Sequence, residues 1–187
     1  LITDGWFCVD DGYYYANDDG ALSTNTVVEG YKLNSAGKSS TKYRIIQYVN
    51  KHTNDSMTDQ EKIKALYDWI LNSSMTYISN NQHLYSSWKW KDGWIDDMAV
   101  DQMNNWGGNC FRYASFLGLL IHEATDLPIG VYHGKMPAFS PGAVMAHGWT
   151  TVLQDGVWYI YDVEMHKFTS HTTEQCYKLP AATSVIH

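Results

Sequence analysis

A cysteine at the start of an apolar helix is the residue in this sequence best placed to act as a nucleophile. Cys110 follows a Gly-Gly-Asn segment (107–109), in which the glycines permit a tight turn and Asn109 can cap a helix. Apolar residues then recur at helical spacing as far as Ala124. A helix N-terminus carries about +0.5 of an elementary charge, so it favours a thiolate and can hold an oxyanion. The alternative is that Cys110 is a small buried hydrophobe, the usual role of a free cysteine.

A hairpin later in the chain offers a histidine and an aspartate that could assist this cysteine. Two runs rich in β-branched and aromatic residues flank the dipeptide Asp155-Gly156, which is a strong hairpin signal. Counting outward from a two-residue turn places His147 and Asp162 on one face as diagonal neighbours, about 7 Å apart. A carboxylate on the far imidazole nitrogen stabilises an imidazolium, while the near nitrogen takes the thiol proton. The chain therefore offers nucleophile, base and orienting acid in the order Cys, His, Asp.

The same count leaves a second candidate for the orienting acid. Asp162 lies opposite Trp149, whereas Glu164 lies directly opposite His147. From the register alone, either carboxylate could orient the imidazole.

These segments resemble the transglutaminase-like superfamily of Cys-His-Asp thiol enzymes over about residues 41–168. The resemblance is carried by four segments: Gly108-Asn109-Cys110 with Tyr113-Ala114, His147-Gly148-Trp149, Trp158-Tyr159-x-Tyr161-Asp162, and the helical stretch 59–70 followed by Tyr77. It implies an α+β fold in which a papain-like core packs helices on an antiparallel sheet. It also implies that Cys110 is the nucleophile, His147 the base and Asp162 the orienting acid, in preference to Glu164. Papain itself fits less well, because its histidine lies about 130–150 residues beyond its cysteine.

The resemblance also implies an aromatic hydrogen-bond donor upstream of the cysteine. Tyr77, or alternatively Trp106, could join the Cys110 backbone N–H in an oxyanion hole. From Ser73 to Trp106 the helical periodicity is lost while tryptophans accumulate, namely Trp88, Trp90, Trp94 and Trp106. Such a cluster favours either a binding groove or a loop that covers the helix beneath it.

The first forty residues repeat a pattern of aromatic residues and Asp/Gly turns at a spacing of roughly seventeen residues. They resemble the cell-wall-binding (choline-binding-like) repeats of Gram-positive surface proteins. This resemblance implies a secreted protein at the cell surface or cell wall, with Trp6, Tyr14 and Tyr31 binding a wall polymer. The second unit lacks the tryptophan, which favours the alternative that the segment is a last repeat packed against the core as a spacer.

We therefore expect a small β-hairpin repeat over 1–40 and a transglutaminase-like catalytic domain over 41–187, joined by a linker over 35–42. Within the second region the patterns predict helices over 43–52 and 59–72, a strand over 129–133 and a loop over 134–143. The helix over 59–72 carries a capping-box signature at Thr58 and Glu61.

The length, composition and net charge of the chain limit which partners and cofactors are expected. The chain has 187 residues, 44% of them hydrophobic, which is enough for one core with a small appendage. No apolar run reaches the ~20 residues that span a bilayer, and a net charge of −7 disfavours nucleic acid as a partner. Cys8 and Cys176 are expected to be free. His133, His166 and His171 lack zinc-type spacing, so neither a catalytic metal nor a cofactor is expected.

The sequence predicts a cysteine-dependent hydrolase or acyltransferase that acts on amide bonds of peptides or proteins. Spacing does not separate a peptidase from a transglutaminase-type enzyme, because that outcome depends on how water reaches the thioester. The alternative is a non-catalytic binding or scaffolding module of the cell wall with a vestigial triad.

Overall fold

The computed structural model describes residues 2–79, 91–137 and 143–184. The fold is α+β, as predicted, with helices packed against a four-stranded antiparallel sheet and a small hairpin at the N-terminus. The helices are α1 Ser40–His52, α2 Asp59–Asn72, α3 Trp94–Asn105, α4 Cys110–Ala124, α5 Val163–Phe168 and α6 Thr173–Cys176. The strands are β1 Gly5–Val9, β2 Gly12–Ala16, β3 Thr26–Val28, β4 Tyr31–Leu33, β5 Thr76–Tyr77, β6 Gly107–Gly108, β7 Ile129–Pro137, β8 Val144–Gln154, β9 Val157–Tyr161 and β10 Tyr177–Pro180.

Helix α4 is the centre of the core. It is buried along almost its whole length. Its apolar side chains pack against α1 and α2 on one side and β7 and β8 on the other. Helix α2 begins with the predicted capping box, in which Thr58 Oγ1 accepts from the Glu61 N–H and the Glu61 carboxylate accepts from the Thr58 N–H. The predicted helices α1, α2 and α4 are confirmed, and α1 begins at Ser40, three residues earlier than expected.

The main sheet has the strand order β10-β9-β8-β7 and is antiparallel throughout. Asp155 and Gly156 adopt left-handed backbone conformations, and Gln154 pairs with Val157 as predicted. Strand β9 ends at Tyr161, however, and the chain enters α5 directly after Asp162. The expected cross-strand pairing of His147 with Glu164 is therefore wrong, because Glu164 lies in a helix.

The two glycines before the cysteine do not form the expected tight turn. They are extended and form β6, which pairs in parallel with β5. The left-handed residue that ends α3 is instead Trp106, with φ of 49°. A Cβ atom on Gly107 would lie 2.4 Å from the carbonyl oxygen of Thr76. Glycine is needed here so that two backbones can approach closely.

Another glycine lets strand β8 lie directly against the start of α4. A Cβ atom on Gly148 would lie 2.6 Å from Cδ1 of Phe111 and 3.1 Å from its Cα. These distances are closer than packed atoms allow. Since Gly148 follows His147 and Phe111 follows Cys110, this contact brings the backbones of His147 and Cys110 close together.

Several elements were not expected from the sequence. Helix α3 lies within the stretch from Ser73 to Trp106, where the lost periodicity predicts a loop. Trp94 is the first residue of this helix and Trp106 follows its last residue. Strand β7 continues to Pro137, so the predicted loop over 134–143 is wrong in its first part. Trp88, Trp90 and residues 138–142 lie outside the described residues. Helices α5 and α6 and strand β10 were also missed.

The predicted linker is shorter than expected. Ser39 pairs with Tyr13 through two backbone hydrogen bonds of 2.7 and 3.2 Å, and Thr41 and Lys42 are buried in the first turn of α1. The chain from residue 39 onward is therefore part of the packed structure. The division into domains over 1–40 and 41–187 stays a prediction.

Among the residues described, no helix has both the length and the apolar character needed to span a membrane.

Replacing Gly148 by alanine should destabilise the protein, because the added methyl group collides with the backbone and ring of Phe111. We expect the free energy of unfolding to fall by about 1–3 kcal/mol in urea denaturation. Gly5→Ala is the matched control, since a Cβ atom there meets only the Thr3 carbonyl oxygen at 3.8 Å. Equal urea midpoints for the two variants would contradict the close approach of β8 to α4.

Candidate active site

Cys110 is the first residue of α4 and is partly exposed. Asn109 caps the helix as predicted, with its side-chain oxygen accepting from the Arg112 N–H at 3.4 Å. The N–H groups of a first helical turn have no acceptor within the helix. The Cys110 N–H is therefore oriented as an oxyanion donor would need to be.

His147 and Asp162 form a short, buried hydrogen bond. His147 Nε2 lies 2.5 Å from Asp162 Oδ2, and both side chains are almost fully buried. The other carboxylate oxygen of Asp162 accepts from the Met165 N–H at 3.0 Å, which caps α5. The Asp162 backbone is fixed as well, since its N–H donates to the Cys176 carbonyl and its own carbonyl accepts from the Tyr67 hydroxyl. Asp162 thus has little freedom to turn away from His147.

His147 and Cys110 line the same cleft, so the three predicted triad residues lie together. Burial lowers the pKa of the imidazole, but the hydrogen bonds with Asp162 and Cys110 outweigh it and raise the pKa of His147 to about 10. Because Nε2 bonds to Asp162, Nδ1 is the nitrogen left to face the sulfur. At neutral pH the His147 imidazole is therefore protonated.

Glu164 lies beside this pair without replacing Asp162 as the hydrogen-bond partner of His147. Glu164 is only 8% exposed and lines the same cleft as Cys110. Burial raises the pKa of the Glu164 carboxyl, the charge of Asp162 raises it further, and His147 opposes both, with a net value of about 7. Ligand atoms of His147, Asp162 and Glu164 lie within 4.8 Å of one another, so these three residues could hold a metal ion. A metal there would compete with the hydrogen bond between His147 and Asp162.

An apolar cleft of about 470 Å³ opens onto Cys110 and His147. It is lined mainly by residues that the sequence analysis did not assign to the site: Met136, Pro137, Met145, Met165, Phe168, Thr169 and His171. Met136 and Pro137 belong to the segment 134–143, for which the sequence predicts a loop. Met145 lies on β8 just before His147, and the other wall residues follow Asp162, where no sequence signal marks them. A larger polar hollow, about 730 Å³, lies at the far end of α4 and has no cysteine among its lining residues.

Tyr77 is brought to the cleft by the pairing of β5 with β6. Tyr77 pairs with Gly108, its side chain is half-exposed, and its ring lies 5.7 Å from the ring of Phe168. Trp106, the alternative donor, directs its Nε1–H to the Ser74 hydroxyl at 3.0 Å. Of the two aromatic candidates, only Tyr77 lines the cleft that contains Cys110.

The three residues expected to bind a wall polymer do not surround one site. The rings of Trp6 and Tyr31 lie 5.9 Å apart, and Lys42 Nζ sits 4.7 and 4.8 Å from their centroids. Tyr14 instead stacks on Phe7, at 5.8 Å. The aromatic face therefore already holds a cation of this chain. Lys42 also donates to the Glu123 carboxylate at 2.5 Å.

The other cysteines are not members of the predicted triad. Cys8 is exposed and Cys176 is buried, and both are free, as predicted. The ring of His133 lies 6.0 Å from that of Trp94, and His166 bonds to the Tyr67 hydroxyl at 3.1 Å.

No protein-family model matches the chain, and no curated protein matches it. Among solved structures, it is similar to a "Putative Cysteine Protease" from Cytophaga hutchinsonii, with 21% identity and a TM-score of 0.46 over 66% of this chain and 37% of that one. It is also similar to the periplasmic domain of TgpA from Pseudomonas aeruginosa bound to ethylmercury, with 16% identity and a TM-score of 0.41 over 70% of this chain and 44% of that one. The chain thus spans less than half the length of either protein.

The buried Glu164 carboxyl should make stability depend on pH. Its pKa is about 7 in the folded protein against an ordinary value of 4.5. Its contribution to stability is therefore complete below about pH 4.5 and is lost as the pH rises through about 7. Relative to wild type, Glu164→Gln should gain about 2 kcal/mol in free energy of unfolding between about pH 5.5 and about pH 8.5.

Urea denaturation at the two pH values measures this gain. Asp155→Asn serves as the control for a change in net charge, because Asp155 lies exposed in the hairpin turn. A constant difference between Glu164→Gln and wild type at both pH values would contradict the raised pKa.

Proposed function

We propose that this protein is a thiol hydrolase or acyltransferase of the transglutaminase-like type that acts on amide bonds of peptides or proteins. The observation that supports it is the hydrogen bond between His147 and Asp162 in a cleft that is lined by both Cys110 and His147. An imidazole held on its far nitrogen by a carboxylate and on its near nitrogen by a thiol is the arrangement that activates a cysteine nucleophile.

In the proposed reaction, Cys110 Sγ attacks the carbonyl carbon of the amide and a C–S bond forms. His147 gives its proton to the leaving nitrogen as the C–N bond breaks, which leaves a thioester. A second nucleophile then attacks the thioester, His147 takes its proton, and the thiolate is released. Asp162 stabilises the imidazolium and holds its orientation throughout, since its carboxylate is fixed by α5.

The developing oxyanion is proposed to lie between the Cys110 N–H and the Tyr77 hydroxyl. The pairing of β5 with β6 places Tyr77 next to the start of α4, and contact with Phe168 supports its ring. One such donor typically contributes about 3 kcal/mol to lowering the barrier.

Water as the second nucleophile gives a peptidase or deamidase, and an amine gives a cross-linking enzyme. Both outcomes use the same triad. A location at the cell surface or cell wall belongs to the same proposal and rests on the resemblance of the N-terminal aromatic segment to wall-binding repeats. In this proposal that segment acts as a packed spacer, because Lys42 occupies its aromatic face.

Alkylation with substoichiometric iodoacetamide tests whether Cys110 is activated. At about pH 6.5, Cys110 should react at least ~10-fold faster than Cys8, because the imidazolium of His147 stabilises its thiolate. Mass spectrometry of the digested protein reports both sites, and the exposed Cys8 is an internal standard. His147→Ala should remove the advantage of Cys110 and leave the reaction of Cys8 unchanged.

If Cys110 reacts no faster than Cys8, or reacts equally fast without His147, the enzymatic proposal fails. The non-catalytic wall-binding module with a vestigial triad would then be the better account.

Tyr77→Phe isolates the proposed oxyanion hole, because it removes the hydroxyl and keeps the ring that contacts Phe168. Hydrolysis of p-nitrophenyl acetate by this variant should slow by about 10²-fold. The rate of Cys110 alkylation should stay within a factor of about two, since alkylation forms no oxyanion. A parallel fall in both rates would assign Tyr77 a role in packing instead.

A further inference from the structure

We propose that Tyr67 is a positioning residue for the triad: its hydroxyl, on α2, holds the Asp162 peptide in the conformation that directs the carboxylate to His147. The inference rests on the proposed function, because it concerns how the orienting acid is held. It goes beyond that function by naming a residue of α2 on which the geometry of the triad depends.

The Tyr67 hydroxyl lies where the chain passes from β9 into α5. Tyr67 is only 1% exposed. Its hydroxyl has three polar neighbours: the Asp162 carbonyl oxygen at 3.2 Å, the Cys176 carbonyl oxygen at 3.3 Å and His166 Nδ1 at 3.1 Å. The Cys176 carbonyl also accepts from the Asp162 N–H at 2.8 Å. The hydroxyl therefore contacts both the carbonyl of Asp162 and the group that binds the Asp162 N–H.

The directions of these hydrogen bonds follow from the hydrogens available. A tyrosine hydroxyl carries one hydrogen, and a carbonyl oxygen can only accept. If this hydrogen pointed to His166, the hydroxyl oxygen would face two carbonyl oxygens with no hydrogen between them. If His166 Nδ1–H donates to the hydroxyl instead, the two carbonyls share the Tyr67 hydrogen and all three contacts are attractive. Both O–O distances exceed the usual value of about 2.7–2.8 Å, as expected for a shared hydrogen.

The far side of the His166 ring agrees with this assignment. His166 Nε2 lies 3.4 Å from the Thr173 hydroxyl, which can donate to it. Donation then runs in one direction, from Thr173 through His166 and Tyr67 to Asp162. Burial raises the pKa of the Tyr67 hydroxyl, so it remains a donor at neutral pH. This direction requires neutral His166 to be the tautomer that carries its proton on Nδ1.

The backbone of Asp162 must keep its conformation for the carboxylate to serve two partners. Its φ of −121° and ψ of 83° lie outside the regular helix and strand regions. One carboxylate oxygen accepts from the Met165 N–H at 3.0 Å, and the other lies 2.5 Å from His147 Nε2. Rotation of the peptide that Tyr67 holds would move both oxygens together. Small displacements of a catalytic group are costly in rate, so this contact is expected to matter for turnover.

Helix α2 gives this contact a firm support. Lys167 Nζ, in the last turn of α5, donates at 2.7 Å to the carbonyl oxygens of both Leu71 and Ser73 at the end of α2. The ring of Tyr67 packs edge-on against the ring of Tyr177, at 4.9 Å. Helix α5 is therefore bound to α2 near both of its ends, by Tyr67 at the start and by Lys167 at the finish.

Tyr67→Phe removes the hydroxyl and keeps the ring, and Tyr161→Phe is the matched control. Tyr161 is also fully buried and its hydroxyl donates to Gln154 at 2.9 Å, so each variant loses one buried hydroxyl. The proton resonance of the His147 Nε2–H reports the bond to Asp162, measured with a chelator present. In Tyr67→Phe its exchange with water should be at least ~10-fold faster than in wild type. In Tyr161→Phe it should be unchanged.

Hydrolysis of p-nitrophenyl acetate by the same variants separates positioning from packing. Tyr67→Phe should lower kcat about 10-fold and leave KM within a factor of about two, because the substrate contacts are kept. Tyr161→Phe should retain both wild-type values. A purely structural role for Tyr67 would lower the melting temperature of both variants and leave the His147 resonance and kcat as in wild type.

Three results would overturn the proposal. The first is a His147 resonance that exchanges equally fast in Tyr67→Phe and in wild type. The second is the same acceleration in Tyr67→Phe and Tyr161→Phe. The third is a wild-type His166 that carries its proton on Nε2 at about pH 8, shown by its nitrogen chemical shifts. The third measurement needs no variant, so it decides the question even if Tyr67→Phe does not fold.

Turnover distinguishes failure of this proposal from failure of the proposed function. If Tyr67→Phe alone accelerates exchange and wild type shows no turnover that depends on Cys110, the positioning role stands and the enzyme is refuted. If turnover depends on Cys110 and is equal in wild type and Tyr67→Phe, the enzyme stands and the positioning role is refuted.

Discussion

The hydrogen bond between Asp162 and His147 is the interaction on which the rest of the site depends. Asp162 stands where the sheet ends and α5 begins, so one carboxylate oxygen caps the helix while the other holds the imidazole. The carboxylate that caps α5 therefore also fixes the orientation of His147. The same junction turns Glu164, Met165 and Phe168 toward the cleft. The geometry of the proposed triad and the chemistry of the cleft thus share one structural origin.

Close backbone approach provides the second constraint. Gly148 lets the strand that carries His147 touch the helix that begins at Cys110, and Gly107 and Gly108 let β6 lie against β5. The first contact brings the backbones of Cys110 and His147 close together. The second brings Tyr77 to the same cleft from a segment more than thirty residues upstream. In both places, a glycine without a side chain lets two backbones approach closely, and this approach brings residues of the proposed site together.

Local signals were sufficient to predict much of this arrangement. The Asp155-Gly156 turn determined the register of β8 and β9, and Asn109 marked the first residue of α4. The same register predicted the wrong partner for Glu164, because nothing local shows that the strand stops at Tyr161. Gly93, the residue before helix α3, has a left-handed backbone conformation, and no side chain caps the helix. The start of α3 therefore has no recognisable sequence signal. Its stability comes from contacts distant in sequence, such as the ion pair of Asp101 with Arg112.

The proton on His147 gives the most direct test of the account. Nuclear magnetic resonance of the labelled His147 imidazole measures its pKa directly. The titration is compared between wild type and Cys110→Ala, which lacks the thiol. The account predicts an imidazolium that persists to about pH 10 in wild type and titrates at a distinctly lower pH without the thiol. Titration near the ordinary value of 6.5 in both proteins would contradict a triad formed by Cys110, His147 and Asp162.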